Sequence, residues 1–142
     1  MQNASIALAE TTIAAPRAKV WRALVTPAAI KTYMFGTDVT TDWKLGSEIF
    51  WEGEWQGKHY RDKGEILEIE PEHVLQYSHF SPLSGQPDTP ESYHTVTIRL
   101  TEEGAGTHVS LSQDNNASEA DRRHSEQNWR QVLVGLKTYV ES

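Results

Sequence analysis

The sequence predicts an α+β fold: a curved antiparallel sheet of about six or seven strands wrapped on one long C-terminal helix, with two short helices after the first strand. Three observations predict it. From Ser118 to about Glu141, the residues Trp129, Val132, Leu133, Leu136 and Val140 recur at i, i+3, i+4, i+7 and i+11, one stripe on a helix of period 3.6. Ahead of that helix lies a long stretch that alternates apolar and polar residues with the period of a strand. Between this stretch and the first strand, Pro16 and Pro27 sit where a helix accepts proline, in its first turn. A sheet with one apolar face needs a cover, and a single long helix supplies it. A sheet curved round one helix encloses space, and enclosed space suits a small ligand.

Residues 5–12 read as the first strand, in which Ile6, Leu8 and Glu10 alternate with Ala7 and Ala9. Val20, Trp21, Leu24 and Val25 then repeat at helical spacing, giving a helix over 16–25. Thr26 is placed to cap a second helix that starts at Pro27 and buries Ile30 and Met34. Gly36 opens a loop. Residues 47–55 alternate, with Ile49, Trp51 and Trp55 on one face, Glu48, Glu52 and Glu54 on the other, and Phe50 breaking the pattern. Gln56-Gly57 suits a hairpin turn, 58–70 form a long strand, and Pro71-Glu72 turns it into 73–80. The stretch 81–90 carries three prolines and a glycine, so it is a loop; with 33–36 it is a candidate lid. Residues 92–100 form the next strand, Glu102 to Gly106 a turn, and Thr107, Val109 and Leu111 the last inward face. Ser118, with Asp121 three residues on, caps the long helix.

At 142 residues the chain has room for one domain and one hydrophobic core, helped by five Trp, five Tyr and three Phe. A formal charge of −7 and the scatter of its basic residues argue against nucleic acid and anionic membranes as partners. With no cysteine, disulfides, thiol catalysis and thiolate metal sites are excluded. Residues 1–10 lack a basic region and a long apolar core, and no apolar run approaches the ~20 residues that span a bilayer. The expectation is a cytoplasmic protein.

The candidate ligand-binding residues are Trp51, Trp55, Tyr77, His79, His94, Trp129 and Leu133. The aromatic rings share the inward parity of their strands or the apolar stripe of the helix. Strand alternation puts His79 with Leu75 and Tyr77, and His94 with Val96, Ile98 and Leu100, as polar anchors for a carboxylate, phenol or carbonyl. Against this stands a simpler account, in which the rings fill the core and the histidines bond to backbone or water. His59, His73, His108 and His124 fall at loop or outward positions. The glutamates facing away from the tryptophans belong to a solvated convex surface, and of Glu65 and Glu68 only one has the parity to look inward. No metal is expected, because no third ligand joins the two histidines at a ligating spacing. No catalytic residue is assigned: no Gly-x-Ser-x-Gly elbow and no phosphate loop is present.

Three pieces of sequence carry a family resemblance. They are Ala15-Pro16-x-x-x-Val20-Trp21-x-Ala23-Leu24-x-x-Pro27, Gly64-x-Ile66-x-Glu68-Ile69-x-Pro71-x-x-x-Leu75-x-Tyr77, and Trp129-x-x-x-Leu133-x-Gly135-Leu136-Lys137-x-Tyr139. In this order the chain resembles the START-like, helix-grip superfamily, and within it the family named after the activator of the 90-kilodalton heat-shock-protein ATPase. The resemblance implies the helix-grip fold and a cavity between sheet and helix that takes lipids, sterols or aromatic compounds. It implies no common catalytic set and no cofactor. Three functions stay open. The first is a binding module for a small hydrophobic or aromatic ligand. The second is a cyclase- or hydrolase-type enzyme on the same pocket, with His79 and His94 or Tyr77 as its acid and base. The third is a co-chaperone or other protein-interaction role, which the residues themselves do not support.

Overall fold

The computed structural model describes residues 6–142, with the side chain of Trp55 also outside the description, so the Ser5 end of the expected first strand is not covered. The chain runs β1 (Ala7–Ile13), α1 (Arg17–Leu24), α2 (Pro27–Tyr33), β2 (Asp38–Thr41), β3 (Glu48–Trp55), β4 (Lys58–Glu70), β5 (Val74–His79), β6 (His94–Glu103), β7 (Gly106–Gln113) and α3 (Glu119–Glu141). The strands form one sheet in the order β1-β7-β6-β5-β4-β3-β2, every pair antiparallel. The helix pair α1–α2 therefore carries the chain from one edge of the sheet to the other.

β2 was not singled out in the sequence. It is four residues long, too short to show alternation, and is held at the edge by pairing with Thr41 to Asp38 against Ile49 to Glu52 of β3. Phe50, which breaks the pattern of β3, is accounted for by a cation–π contact. On the convex face its ring lies 3.9 Å beneath the Arg61 guanidinium of β4.

The core lies between the concave face and α3. Val132, Leu133, Leu136 and Val140 are buried there against Ile13, Ile66, Leu75, Val96, Val109 and Leu111. Ser118 caps α3 as its sequence predicts, its hydroxyl accepting from the Asp121 N–H at 3.1 Å. Thr26 does not cap α2; its hydroxyl donates back to the Arg22 carbonyl at the end of α1. In β1 Ala7, Ala9 and Ile13 face inward, where α3 packs onto this strand, and Leu8 points away and is 43% exposed. The helix also closes the free edge of β1: Glu126 accepts from the Leu8 N–H (3.1 Å), Lys137 donates to the Thr12 carbonyl (2.7 Å) and Glu141 accepts from the Ala14 N–H (2.7 Å). Side-chain contacts of this kind make an edge strand a poorer template for another chain. The Ala14 N–H and then Lys137 hold the Glu141 carboxyl below its ordinary value.

A register shift between Ile66 and Glu68 decides which face of β4 looks inward. Ile66 and Ile69 both turn to the core, while Glu65 is exposed and Glu68 pairs with the outward Gln76. Neither glutamate enters the concave face. Before the shift the inward residues are Tyr60, Asp62, Gly64 and Ile66, with Asp62 opposite Trp51.

Candidate functional site

The space between sheet and helix divides in two. Deep in the core an apolar void of about 30 Å³ is lined by Trp51, Tyr77, Trp129 and Leu133 with further aromatic and aliphatic neighbours. An apolar void of this size stays dry and holds no ligand. Towards the open end a cavity of about 480 Å³ forms between α3, the far ends of β3 to β7, the turn after α2 and the loop after β5. Its lining is mixed rather than purely hydrophobic.

Trp51 and Tyr77 make the floor. They are 5% and 6% exposed, with ring centroids 5.0 Å apart. Burial pushes the Tyr77 phenol up, so it stays neutral at any physiological pH. Trp129 on α3 forms the roof, and its indole N–H donates to Gln113 Oε1 at 2.6 Å, tying the helix to the end of β7. Leu133 lines the small void and not the cavity. Trp55 belongs to β3, and the placement of its side chain lies outside the described residues.

His79 and His94 pair directly across β5 and β6, with ring centroids 6.4 Å apart, and both line the cavity. The His79 and Trp51 rings pack edge to face, with centroids 5.0 Å apart. Beyond the sequence expectation, His79 has a carboxylate behind it: its Nε2 lies 2.8 Å from Asp62 Oδ2. Asp62 Oδ1 is buried without a hydrogen-bond partner among the described residues. His94 rests instead on a neutral group, its Nδ1 lying 2.9 Å from the Asp114 carbonyl oxygen. Tyr60, also missed in the sequence, shares a 2.7 Å hydrogen bond with Thr37. Counting back in twos from Ile66 would have found both Asp62 and Tyr60. Glu54, expected on the convex face, is exposed and borders the cavity.

The other four histidines stand apart from the cavity lining. His73 meets Arg17, His108 pairs with Glu10 and His59 approaches Glu52. Among the described residues, no group of three His, Cys, Asp or Glu side chains is placed to hold a metal ion, and no helix is long and apolar enough to cross a membrane.

The loop after β5 contributes Ser81, Leu83 and Ser84 to the wall. It contains two short 3₁₀ turns, Pro82–Ser84 and Pro90–Ser92. Asp88 ties it down through an ion pair with Lys63 of β4 and a 2.7 Å hydrogen bond from Tyr93, whose ring stacks on Phe80. Lys63 and then Tyr93 hold the Asp88 carboxyl below its ordinary value. A carboxylate lowered on folding stabilises this arrangement above its unfolded-state pKa, and the contribution is lost as pH falls through the lowered value. Asp88→Asn is therefore expected to raise amide exchange several-fold within residues 81–93 at neutral pH while β6 and β7 exchange as before. Unchanged exchange in the loop would show that the ion pair does not hold it.

A seven-stranded antiparallel sheet gripping one C-terminal helix, with a cavity at the open end of the grip, defines a helix-grip protein of the START-like class. The chain belongs to the activator of Hsp90 ATPase homolog 1-like protein family, whose profile matches residues 14–141. Its fold is similar to the solution structure of ChR145 from Cytophaga hutchinsonii, at 57% identity and a TM-score of 0.84 over 96% of this chain and 93% of that one. It is also similar to CalU16 from Micromonospora echinospora, at 26% identity and a TM-score of 0.71 over 92% of this chain and 73% of that one. The Aha1 dimer from Colwellia psychrerythraea, at 18% identity and a TM-score of 0.74 over 96% of each chain, shares the fold. Comparison with curated proteins finds no match.

Proposed function

We propose that this chain is a single ligand-binding domain that takes a small hydrophobic or aromatic molecule into the cavity between α3 and the sheet. The observation that carries the reading is the cavity itself: about 480 Å³, with Trp51 and Tyr77 as an aromatic floor, Trp129 above and two histidines at the side. This volume falls within the roughly 300–1,000 Å³ of ordinary small-molecule sites, and apolar walls with a few polar anchors are their usual build. A flat ligand burying ~300 Å² of apolar surface gains about 7 kcal/mol before ordering costs, enough for a useful site. The reading calls on no cofactor and no protein partner.

The test is a thermal-shift screen against fatty acids, sterols, flavonoids and simple aromatic compounds, with tryptophan fluorescence read in parallel. A ligand at about 100 times its Kd adds ~2.7 kcal/mol of stability, a rise of roughly 5–10 °C for a chain of this size. Saturable quenching should accompany it, since Trp51 and Trp129 both line the cavity. A blank across the panel in both signals would overturn the reading.

A further inference from the structure

The hydrogen bonds of the two cavity histidines settle which of their nitrogens are free. A carbonyl oxygen only accepts, so His94 Nδ1 carries the proton it shares with Asp114, and its Nε2 presents a lone pair in the neutral ring. An ionised carboxylate likewise only accepts, so His79 Nε2 carries the proton towards Asp62, and its Nδ1 presents the lone pair. Neither lone-pair nitrogen has a partner among the described residues. Asp62 Oδ1 is the one fully buried side-chain nitrogen or oxygen without a partner among the described residues, so both nitrogens are open to solvent or a ligand. Thus two hydrogen-bond acceptors wait side by side in the cavity wall.

The charges around them select the ligand further. Among the described residues no Lys or Arg lines the cavity, whereas Asp62 and Glu54 do, and the whole chain carries −7. A ligand that arrives as an anion meets no fixed cation. A ligand that arrives neutral and carries an acidic proton meets two lone pairs. The two histidines are not equivalent as proton acceptors. Behind His79 stands a carboxylate with one oxygen already stripped of water, behind His94 a neutral carbonyl. A carboxylate on the far nitrogen stabilises an imidazolium, as in hydrolase triads. The remaining titratable neighbours in the lining are Glu54, Tyr60 and Tyr77, and burial holds Tyr77 neutral.

Resting on the ligand-binding reading above, we propose that Asp62 and His79 form a general-base dyad that takes the proton from a phenolic or enolic hydroxyl, so that the site holds its aromatic ligand as the oxyanion. In the transfer the ligand O–H bond breaks, an N–H bond forms at His79 Nδ1, and the bonding electron pair stays on the ligand oxygen. Nothing is oxidised and no co-reactant enters. Asp62 acts through His79 and is a positioning residue. His94, which offers only an acceptor nitrogen, takes no part in holding the oxyanion and is left to accept from a second hydroxyl of the ligand. The ligand class is then an aromatic hydroxyl compound with a proton near neutrality in acidity, in preference to a fatty acid or a sterol.

A nitrophenol serves as the probe, because its ionised form absorbs in the visible and its neutral form does not. Below the probe's own pKa, the wild-type protein is expected to quench its tryptophans and raise the phenolate band together. In Asp62→Asn, quenching should persist while the bound phenolate fraction drops about tenfold, equivalent to one pKa unit. His79→Gln should do the same, and keeps the test alive if the Asp62 variant folds poorly by circular dichroism. His59→Gln, on the convex surface away from the cavity lining, leaves the band unchanged. Quenching without a phenolate band in the wild type overturns the dyad and spares the binding site. A band retained in both Asp62→Asn and His79→Gln but lost in His94→Gln also overturns it. Absence of quenching by any phenol, with saturable quenching by a fatty acid or sterol, overturns the dyad and spares the ligand-binding reading; a blank across the whole panel overturns both.

Discussion

Gly64→Ala is expected to cost about 3 kcal/mol or more and to collapse the wall that carries His79. A Cβ at Gly64 would stand 1.7 Å from the Ser78 carbonyl oxygen and 2.6 Å from its carbon. Both atoms are backbone, so no rotamer change relieves the clash. β4 and β5 must part, and Ser78 immediately precedes His79, the residue that Asp62 holds at 2.8 Å. The same separation strains the bond from the Glu65 N–H to Ser78 Oγ, 3.0 Å in the native pairing. Urea unfolding measures the loss directly. A variant within about 1 kcal/mol of the wild type would show that the strands do not need this approach. The glycine thus serves the site through the ladder, since its hydrogen is what lets the two strands converge beneath the histidine.

Trp51→Ala and Trp129→Ala are expected to separate stability from ligand capacity. Trp51 is 5% exposed and packs on Tyr77 and His79, so its removal leaves a hole in the floor and costs on the order of 3–5 kcal/mol. Trp129 is only half-buried and reaches solvent at the cavity, so its loss costs less, about 1–2 kcal/mol including the bond to Gln113. Both substitutions remove an aromatic wall, so both are expected to weaken a bound aromatic ligand at least tenfold. Equal stability losses would place the two rings in one core. A Trp129 variant that binds as tightly as the wild type would remove α3 from the site. Melting curves with and without ligand give both quantities from one experiment.

These two cases also show where sequence reasoning succeeds and where it stops. The α3 stripe, the alternation of β6 and β7 and the inward parity of Trp51 and Tyr77 are local periodicities, and the structure keeps them. Gly64 was legible only as a glycine in a strand, because the atom it accommodates lies fourteen residues away. Asp62 is hidden in the sequence for a related reason. Of the carboxylates with a claim to the inward face of β4, Glu65 alternates outward beside the buried Ile66, and the register shift after Ile66 turns Glu68 outward as well. Parity counted from the wrong side of a bulge selects the wrong face. Leu133 sits on the correct stripe of α3, yet its position along the helix puts it over the filled part of the core.

The amino-acid sequence by itself determined the fold class, the order of the elements, the cap at Ser118 and the apolar faces that the sheet and α3 turn to each other. Those follow from spacings of a few residues and from side-chain chemistry that acts locally. Only the tertiary structure decided that most of the interior is filled, that the remaining space gathers at one end, and that a carboxylate of β4 backs a histidine of β5. Cavity and dyad depend on how the strands are registered and how close α3 lies to β1, distances set by the packing of residues remote in the chain. Periodicity orients a side chain, but convergence of side chains is a property of the assembled sheet.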